Sequence, residues 1–146
     1  MMVLDEPVSA LDVSIRAHIL TLLEELQARL GVSYLFIGHD LAAATHISHR
    51  IAVMYLGKIV KLTDSLELCN NLMQPYTKAL FAASLPSHPD EEREEMVLTG
   101  EVPSALYPPP GRRFHPRCPF VLDRCAQDEP QLMEVASDHW VACHLY

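Results

Sequence analysis

The first twelve residues constrain the fold of this chain more than any other stretch. A run of four apolar residues, Met1–Leu4, is followed by the acidic pair Asp5–Glu6 and then by a short turn that ends at Asp12. A continuous apolar run of this length predicts a strand buried in a parallel sheet whose faces are covered by helices. Polar residues at the carboxyl end of such a strand lie where α/β sheets bind their ligands. The segment therefore predicts an α/β fold with a site at one edge of the sheet.

Two adjacent carboxylates at a strand end have a specific chemical use. A hydrated divalent cation prefers hard oxygen ligands, and a water molecule that is to attack needs a base within hydrogen-bond distance. The alternative is a strand that merely ends in Asp-Glu and turns at Pro7. The short pattern by itself leaves both interpretations open.

Composition excludes two broad classes of function. The 146 residues carry a net charge of -8, which leaves no basic surface of the kind that binds nucleic acid. No apolar run approaches the roughly 18–20 residues of a membrane helix, and no export signal precedes the first strand. We therefore expect a protein that is neither inserted nor exported and has no nucleic-acid partner, while docking on a membrane protein stays open.

Hydrophobic periodicity and turn residues predict the remaining elements. Asp12 is expected to be the N-cap of the first helix and Gly31 its C-cap. The predicted elements are a helix from Asp12 to Leu30, a strand from Ser33 to Ile37, a helix from Leu41 to Ile47, a hairpin of residues 50–55 and 58–62 around Gly57, a helix from Asp64 to Asn71 and a helix from Pro75 to about Ser84.

This α/β pattern contains only part of a sheet. The first strand has no preceding element, so we expect the chain to begin in the middle of a fold and residues 1–63 to expose apolar surface. Prolines and the acidic run Asp90–Glu95 are typical of a linker over residues 85–110, with a short strand predicted at Met96–Leu98. We therefore predict three segments: 1–84, the linker 85–110, and a tail, 111–146, that holds most of the cysteines.

The string LDEPVSALD, followed by a helix, a strand and YLFIGHDLAAA, resembles the Walker B strand, D-loop and switch-histidine segment of ATP-binding-cassette (ABC) ATPases. The resemblance implies the C-terminal half of a P-loop NTPase domain with ATP and Mg²⁺ as cofactors. It implies that Asp5 holds Mg²⁺, that Glu6 is the catalytic carboxylate and that His39 contacts the γ-phosphate. Ser9 and Asp12 match the D-loop, which links the two ATP sites of a dimer.

Chemistry supports His39 independently of the resemblance. Phosphoryl transfer depends on charge neutralisation and a positioned nucleophile, and a histidine at a strand end can donate to a phosphate oxygen. A lone histidine is more often a surface or packed residue, and we interpret His18, His46 and His49 in that way. No G-x-x-x-x-G-K-[ST], LSGGQ-like or glutamine-loop segment is present in the 146 residues. We therefore expect the isolated chain to be inactive toward ATP.

The segments VMYLGKIVKL, LCNNLMQPYTKALFAASLP and GRRFHPRCPF resemble the oligopeptide/dipeptide (and nickel) ATP-binding subunits. This subfamily implies an ATP-hydrolysing subunit of a peptide importer that pairs with a second ATP-binding subunit, as a homodimer or heterodimer. It also implies membrane permease subunits, indirectly a substrate-binding protein, and a cytoplasmic position on the inner face of the plasma membrane. The chain departs from the subfamily at Cys69, Leu72 and Gln74, where Phe, Pro and His are usual.

In some members of the subfamily, four cysteines of the C-terminal extension hold a [4Fe–4S] cluster. Here Arg112 stands at the first of those positions, and Cys118, Cys125 and Cys143 remain. Three alternatives stay open: a cluster with an unidentified fourth ligand, Zn²⁺ bound by these cysteines and His115, or buried cysteines without metal. The surrounding basic residues are interpreted as a solvated turn.

Three functions are consistent with the sequence. The chain is the C-terminal part of an ATP-binding and ATP-hydrolysing importer subunit, a non-enzymatic truncated remnant or interaction module, or a small metal-binding domain with a vestigial α/β half.

Overall fold

The computed structural model describes residues 1–84 and 98–146 and divides the chain into two compact units, Met1–His49 and Arg50–Tyr146. The strand predicted at Met96–Leu98 lies, except for Leu98, outside the described residues, as does part of the predicted linker. Among the described helices none has both the length and the apolar character needed to cross a membrane.

The first unit is a parallel strand pair joined by a helix. Its elements are β1 (Met2–Asp5), α1 (Val13–Leu30), β2 (Tyr34–Ile37) and α2 (Leu41–Ile47). The pairing runs from Met2 opposite Tyr34 to Asp5 opposite Ile37, and α1 supplies the crossover that parallel strands require. Both predicted caps of α1 are confirmed: the Asp12 side chain accepts from the backbone N–H of Ile15, and Gly31 adopts a φ of 63°.

One face of this strand pair is packed and the other is bare. Tyr34 and Phe36 pack against a small core that is formed by Val8, Leu20, Ala43 and Ile47. On the opposite face Val3, Leu35 and Ile37 keep 55%, 49% and 45% of their surface exposed. Strands of a parallel sheet are ordinarily covered on both faces. The predicted exposure of apolar surface in this part of the chain is thus confirmed.

The second unit is built on a four-stranded antiparallel sheet of order β3-β4-β6-β5. Its elements are β3 (Arg50–Tyr55), β4 (Lys58–Asp64), α3 (Ser65–Asn70), α4 (Pro75–Ser84), two short 3₁₀ turns at His115–Arg117 and Asp123–Ala126, β5 (Met133–Ala136) and β6 (His139–Val141). The predicted hairpin is confirmed. Its two loop residues, Leu56 and Gly57, have φ values of 45° and 80°, as a tight two-residue hairpin turn requires.

Pairing between β4 and β6 joins the tail to the hairpin. Lys61 lies opposite Val141 and Leu62 opposite Trp140, and the Ala142 N–H donates to the Val60 carbonyl at 3.0 Å. The compact units therefore divide at His49, whereas the predicted segments were 1–84, 85–110 and 111–146. The difference arises because a strand of the tail completes a sheet that begins in the first predicted segment.

The same pairing buries a lysine. Lys61 is completely inaccessible to solvent, and its Nζ donates to the Asn71 carbonyl at 2.5 Å. Burial lowers the pKa of Lys61 from 10.5 to about 8, and the charge of Glu67 opposes this shift only in part. The neutral amine is thus favoured in the folded state relative to the unfolded chain.

We expect the stability of this sheet to rise with pH through a window that Lys61 defines. Between pH 8 and 10.5 the unfolded chain binds the proton more strongly than the folded chain. Lys61 should therefore contribute an increase of about 3 kcal/mol in the free energy of unfolding across the window. Contributions of opposite sign come from Cys143, Tyr76 and Tyr146, whose pKa values burial raises. In Lys61→Met this increase should be absent. Urea unfolding followed by fluorescence of Trp140, the single tryptophan, measures the difference.

A control variant on the same strand is Lys58→Met, because Lys58 is half-exposed and pairs with Glu129 at 2.9 Å. It should retain the wild-type pH dependence. The His139 pKa, which burial lowers from 6.5, lies below the window and does not contribute. Equal pH profiles for wild type and Lys61→Met would contradict the prediction.

Candidate functional site

The predicted site residues of the first unit gather where β1 and β2 end. The parallel pairing continues one residue beyond β1, because the Glu6 N–H donates to the Ile37 carbonyl at 2.9 Å. His39 follows two residues after Ile37, so the ends of both strands meet at one edge of the sheet. This is the position at which α/β sheets bind ligands.

Glu6 and His39 are in direct contact across this edge. The His39 Nδ1 lies 3.2 Å from the Glu6 Oε1, and 73% and 51% of the respective side chains are exposed. An ion pair this exposed contributes little to stability. The contact therefore orients the two side chains without being needed to hold the fold together.

The backbone at Glu6 adopts an uncommon conformation. Its φ is 46°, in the left-handed region that non-glycine residues adopt at a cost of about 1–3 kcal/mol. Ser9 holds this turn closed, since its N–H and its hydroxyl both donate to the Glu6 carbonyl, at 3.3 and 3.1 Å. Val8, only 3% exposed, anchors the turn in the core. Strain is thus present at the residue predicted to be catalytic.

Asp5 and Asp12 occupy different settings near this edge. The Asp5 side chain is exposed at the last position of β1. Asp12 begins α1, where its carboxylate accepts from the Ile15 N–H and the Ser14 hydroxyl, both at 3.0 Å. The hydrogen bond from Ile15, followed by that from Ser14, lowers the pKa of Asp12. Within the part of the chain that the structure describes, the Asp5 carboxylate has no hydrogen-bond partner, whereas Asp12 is engaged in capping.

An arginine that the sequence analysis did not identify ties the two halves of the site together. Arg16 donates to the Asp40 carboxylate and, at 3.2 Å, to the Leu11 carbonyl. Asp40 in turn caps α2 by accepting from the Ala43 N–H at 3.0 Å. The turn after Glu6 is thereby connected to the residue that follows His39. The sequence does show an acidic residue, Asp40, directly after His39, but no local pattern indicates that Arg16 is its partner.

We expect Arg16→Met to loosen this edge of the sheet. The substitution keeps most of the side-chain volume but leaves the partly buried Asp40 carboxylate without its cation. The free energy of unfolding of the first unit should fall by roughly 1–2 kcal/mol. Amide hydrogen exchange in α1 and α2 reports this loss. Arg29→Met, at an exposed position in the last turn of α1, is the matched control; equal acceleration in both variants would contradict the prediction.

In the second unit the three tail cysteines are buried around Arg112. Cys118, Cys125 and Cys143 are 6%, 0% and 3% exposed, and Arg112 is 3% exposed. The Arg112 backbone N–H donates to the Cys125 carbonyl at 2.8 Å, and its Nη1 lies 3.5 Å from the Cys118 Sγ. Burial raises the pKa of Cys143, and the charge of Arg112 opposes this rise. We call these four residues the Cys–Arg pocket.

One expectation about the tail is wrong. The basic residues were interpreted as a solvated turn, but Arg112 is buried because the chain folds its side chain among the cysteines. His115 was a candidate zinc ligand; its Nδ1 lies 3.0 Å from the Arg112 carbonyl oxygen, and its role as a ligand stays a prediction. Within residues 1–84 and 98–146 no group of three or more His, Cys, Asp or Glu side chains is arranged to hold a metal ion. The donor set of the pocket does not fit a metal ion, because a guanidinium lies beside a cysteine sulfur.

Gly111 allows the approach of Arg112 to Cys125. It has a φ of 63°, and a Cβ at this position would lie 2.5 Å from the Cys125 carbonyl oxygen. Any side chain here would force the segment away from the backbone that it packs against.

We expect Gly111→Ala to destabilise the second unit more than Gly100→Ala. Both glycines have positive φ, but the nearest atom to an added Cβ at Gly100 is 4.0 Å away. Gly100→Ala should cost about 1 kcal/mol through backbone strain, and Gly111→Ala roughly 2–4 kcal/mol because overpacking is added. Urea unfolding monitored through Trp140 gives both values. Equal losses would show that the close approach is not required.

Comparison with curated proteins finds similar relatives whose names all describe ATP-binding proteins of peptide transport or import. The chain is 49% identical over 149 residues to the oligopeptide transport ATP-binding protein AppF of Bacillus subtilis. It is 49% identical over 145 residues to a probable peptide ABC transporter ATP-binding protein of Sinorhizobium fredii, and 48% identical over 141 residues to a putative peptide import ATP-binding protein of Brucella ovis. These alignments cover 97–100% of the chain but 41–45% of the relatives, so the chain spans less than half their length.

A family profile gives a second, independent match. Residues 60–125 match the profile described as the oligopeptide/dipeptide transporter, C-terminal region. The matched segment begins within β4 and ends at Cys125, so it includes Arg112 and two of the three cysteines of the Cys–Arg pocket.

Proposed function

We propose that this chain, which is homologous over its whole length to the C-terminal part of peptide ABC transporter ATP-binding proteins, supplies that part of an ATP-binding and ATP-hydrolysing importer subunit. The observation that carries the proposal is the contact between Glu6 and His39 at the carboxyl edge of a parallel strand pair. A carboxylate and an imidazole held together there can act on a water molecule and on a phosphate.

Asp5 is the residue that we propose holds Mg²⁺. Its carboxylate supplies hard oxygen donors and is exposed at the end of β1, which fits this cation. When bound, Mg²⁺ neutralises charge on the transferring phosphate.

Glu6 is proposed as the general base. Its strained turn directs the carboxylate toward His39, and the adjacent hydrogen bonds from Ser9 keep the turn closed. In this position the carboxylate can orient an attacking water and accept its proton. The His39 ring presents Nδ1 to Glu6, which leaves the opposite ring nitrogen for a phosphate oxygen.

Ser9 and Asp12 are proposed as D-loop residues near a second ATP site. Ser9 controls the backbone of Glu6, and Asp12 fixes the start of α1. A change in this turn would therefore alter the orientation of Glu6. The turn would thus couple catalysis in one subunit to contacts made by its partner.

The predicted segments are retained as a proposal about function. Residues 1–84 would belong to a nucleotide-binding domain, 85–110 would be a linker and 111–146 the C-terminal extension. The bare apolar face of β1 and β2 would pack against the rest of that domain. The proposed partners are a second ATP-binding subunit, membrane permease subunits and, indirectly, a substrate-binding protein. Such a subunit would work in the cytoplasm, on the inner face of the plasma membrane.

The proposal is tested by a chimaera in which this chain replaces the matching part of the Bacillus subtilis relative. Mg-ATP hydrolysis should be measurable, and Glu6→Gln should reduce it by about 10²–10⁴-fold because the general base is lost. ATP binding, measured by equilibrium dialysis, should be unchanged. Phosphate release under saturating ATP is the readout.

Glu24→Gln is the matched control. Glu24 also contacts a histidine, with 3.5 Å between its Oε1 and the His46 Nε2, but lies away from the strand ends. Its hydrolysis rate should equal that of the unsubstituted chimaera. Full activity in Glu6→Gln would contradict the proposed role. The isolated 146-residue chain should show no Mg-ATP turnover, since it contains no P-loop sequence; turnover that Glu6→Gln abolishes would contradict this expectation.

A further inference from the structure

The Cys–Arg pocket buries a positive charge, and within residues 1–84 and 98–146 no carboxylate is in contact with its guanidinium. The Arg112 Nε and Nη2 are shielded from solvent and have no hydrogen-bond partner among the described residues. The third nitrogen, Nη1, lies 3.5 Å from the Cys118 Sγ. The guanidinium carbon lies 5.6 Å from the centre of the Phe114 ring, a cation–π distance. The charge is thus held by a sulfur and an aromatic ring.

Several features of the surrounding structure position this arginine. Gly111 provides a backbone conformation that brings Arg112 against Cys125, and Phe114 is 1% exposed. The Arg112 carbonyl also closes the following 3₁₀ turn by accepting from the His115 N–H at 2.8 Å. Arg112 contributes to the wall of a neighbouring cleft of about 460 Å³, but two of its nitrogens are withdrawn from solvent. The Arg112 guanidinium is therefore mainly a part of the Cys–Arg pocket and not of the cleft.

A guanidinium at this position conflicts with metal binding. The Arg112 Nη1 lies 3.5 Å from the Cys118 Sγ, so the guanidinium occupies space beside this sulfur that a metal ion would have to enter. Burial also raises the pKa of Cys143, which favours the thiol over the thiolate that would ligate a metal. The fourth position of a closed tetrahedral site is also missing, since structural zinc and iron–sulfur sites use four protein ligands.

We infer that the guanidinium of Arg112 is the cation around which the three cysteines close, so that the Cys–Arg pocket folds without a metal ion. The arginine supplies from within the chain the positive charge and the volume that a metal ion would supply in a four-cysteine site. The tail consequently does not depend on metal for its fold. Replacing Arg112 by cysteine removes the guanidinium from the space beside Cys118 and adds the fourth thiol in one step.

The experiment compares the metal content of three chains of 146 residues: wild type, Arg112→Cys and Arg113→Cys. Each is purified anaerobically with reductant from medium supplemented with zinc and iron, and its metals are quantified by mass spectrometry. Arg112→Cys should bind about one Zn²⁺, or an iron–sulfur cluster of about four Fe, per chain. Wild type should bind neither metal at a comparable level.

Arg113→Cys is the matched control, because it adds a cysteine at the neighbouring position. Arg113 donates to the Leu56 carbonyl at the hairpin turn and is not part of the pocket. Its metal content should equal that of wild type. Near-stoichiometric zinc or iron in wild type would overturn the inference. So would a folded Arg112→Cys chain, judged by Trp140 fluorescence, that binds no more metal than Arg113→Cys.

If Arg112→Cys does not fold, a second measurement tests whether the wild-type pocket folds without metal. The urea midpoint of wild type is recorded with and without a strong zinc and iron chelator. An unchanged midpoint supports a pocket that folds without metal. A lower midpoint in the chelator overturns the inference, since a structural metal contributes directly to folding.

Discussion

The pairing of β4 with β6 is the interaction on which the second unit depends. It extends a local hairpin into a four-stranded sheet, and it places Cys143 two residues beyond the paired Val141. An aromatic cluster unites the same regions: the ring centroids of Tyr55, Tyr76 and Phe114 lie 4.7–5.4 Å apart. Without this pairing the Cys–Arg pocket would lack one of its cysteines.

Elements with local signals were predictable from sequence, and elements with distant causes were not. Caps at Asp12 and Gly31 and the turn at Gly57 are encoded within a few residues, and the structure has them where expected. The strands β5 and β6 were not predicted: they contain only four and three residues, and β6 also pairs with β4, which is far away in sequence. The burial of Arg112 escaped prediction because the tail fold brings it together with Cys118, Cys125 and Cys143, which lie at separations of six to 31 residues in the sequence.

The candidate catalytic edge shows a similar division. Asp5, Glu6 and His39 were identified from sequence, and the contact between Glu6 and His39 follows from the parallel register of β1 and β2. The left-handed backbone at Glu6 and the bridge from Arg16 to Asp40 were not foreseen. Both features depend on how the whole first unit packs, which no short stretch of sequence indicates. Sequence identified the chemical groups, whereas the fold determined their orientation.

The β4–β6 pairing also has a kinetic consequence. Paired residues such as Lys61 and Val141 are separated by about 80 residues. Forming the pairing therefore closes a long loop, and the entropic cost of closure precedes the stabilising contacts. During synthesis the hairpin leaves the ribosome several seconds before β6 has been made, at about 5–20 residues per second. In that interval the edge of β4 has no partner and can pair with another chain. Until its last strand has been made, the second unit therefore exposes an unpaired sheet edge.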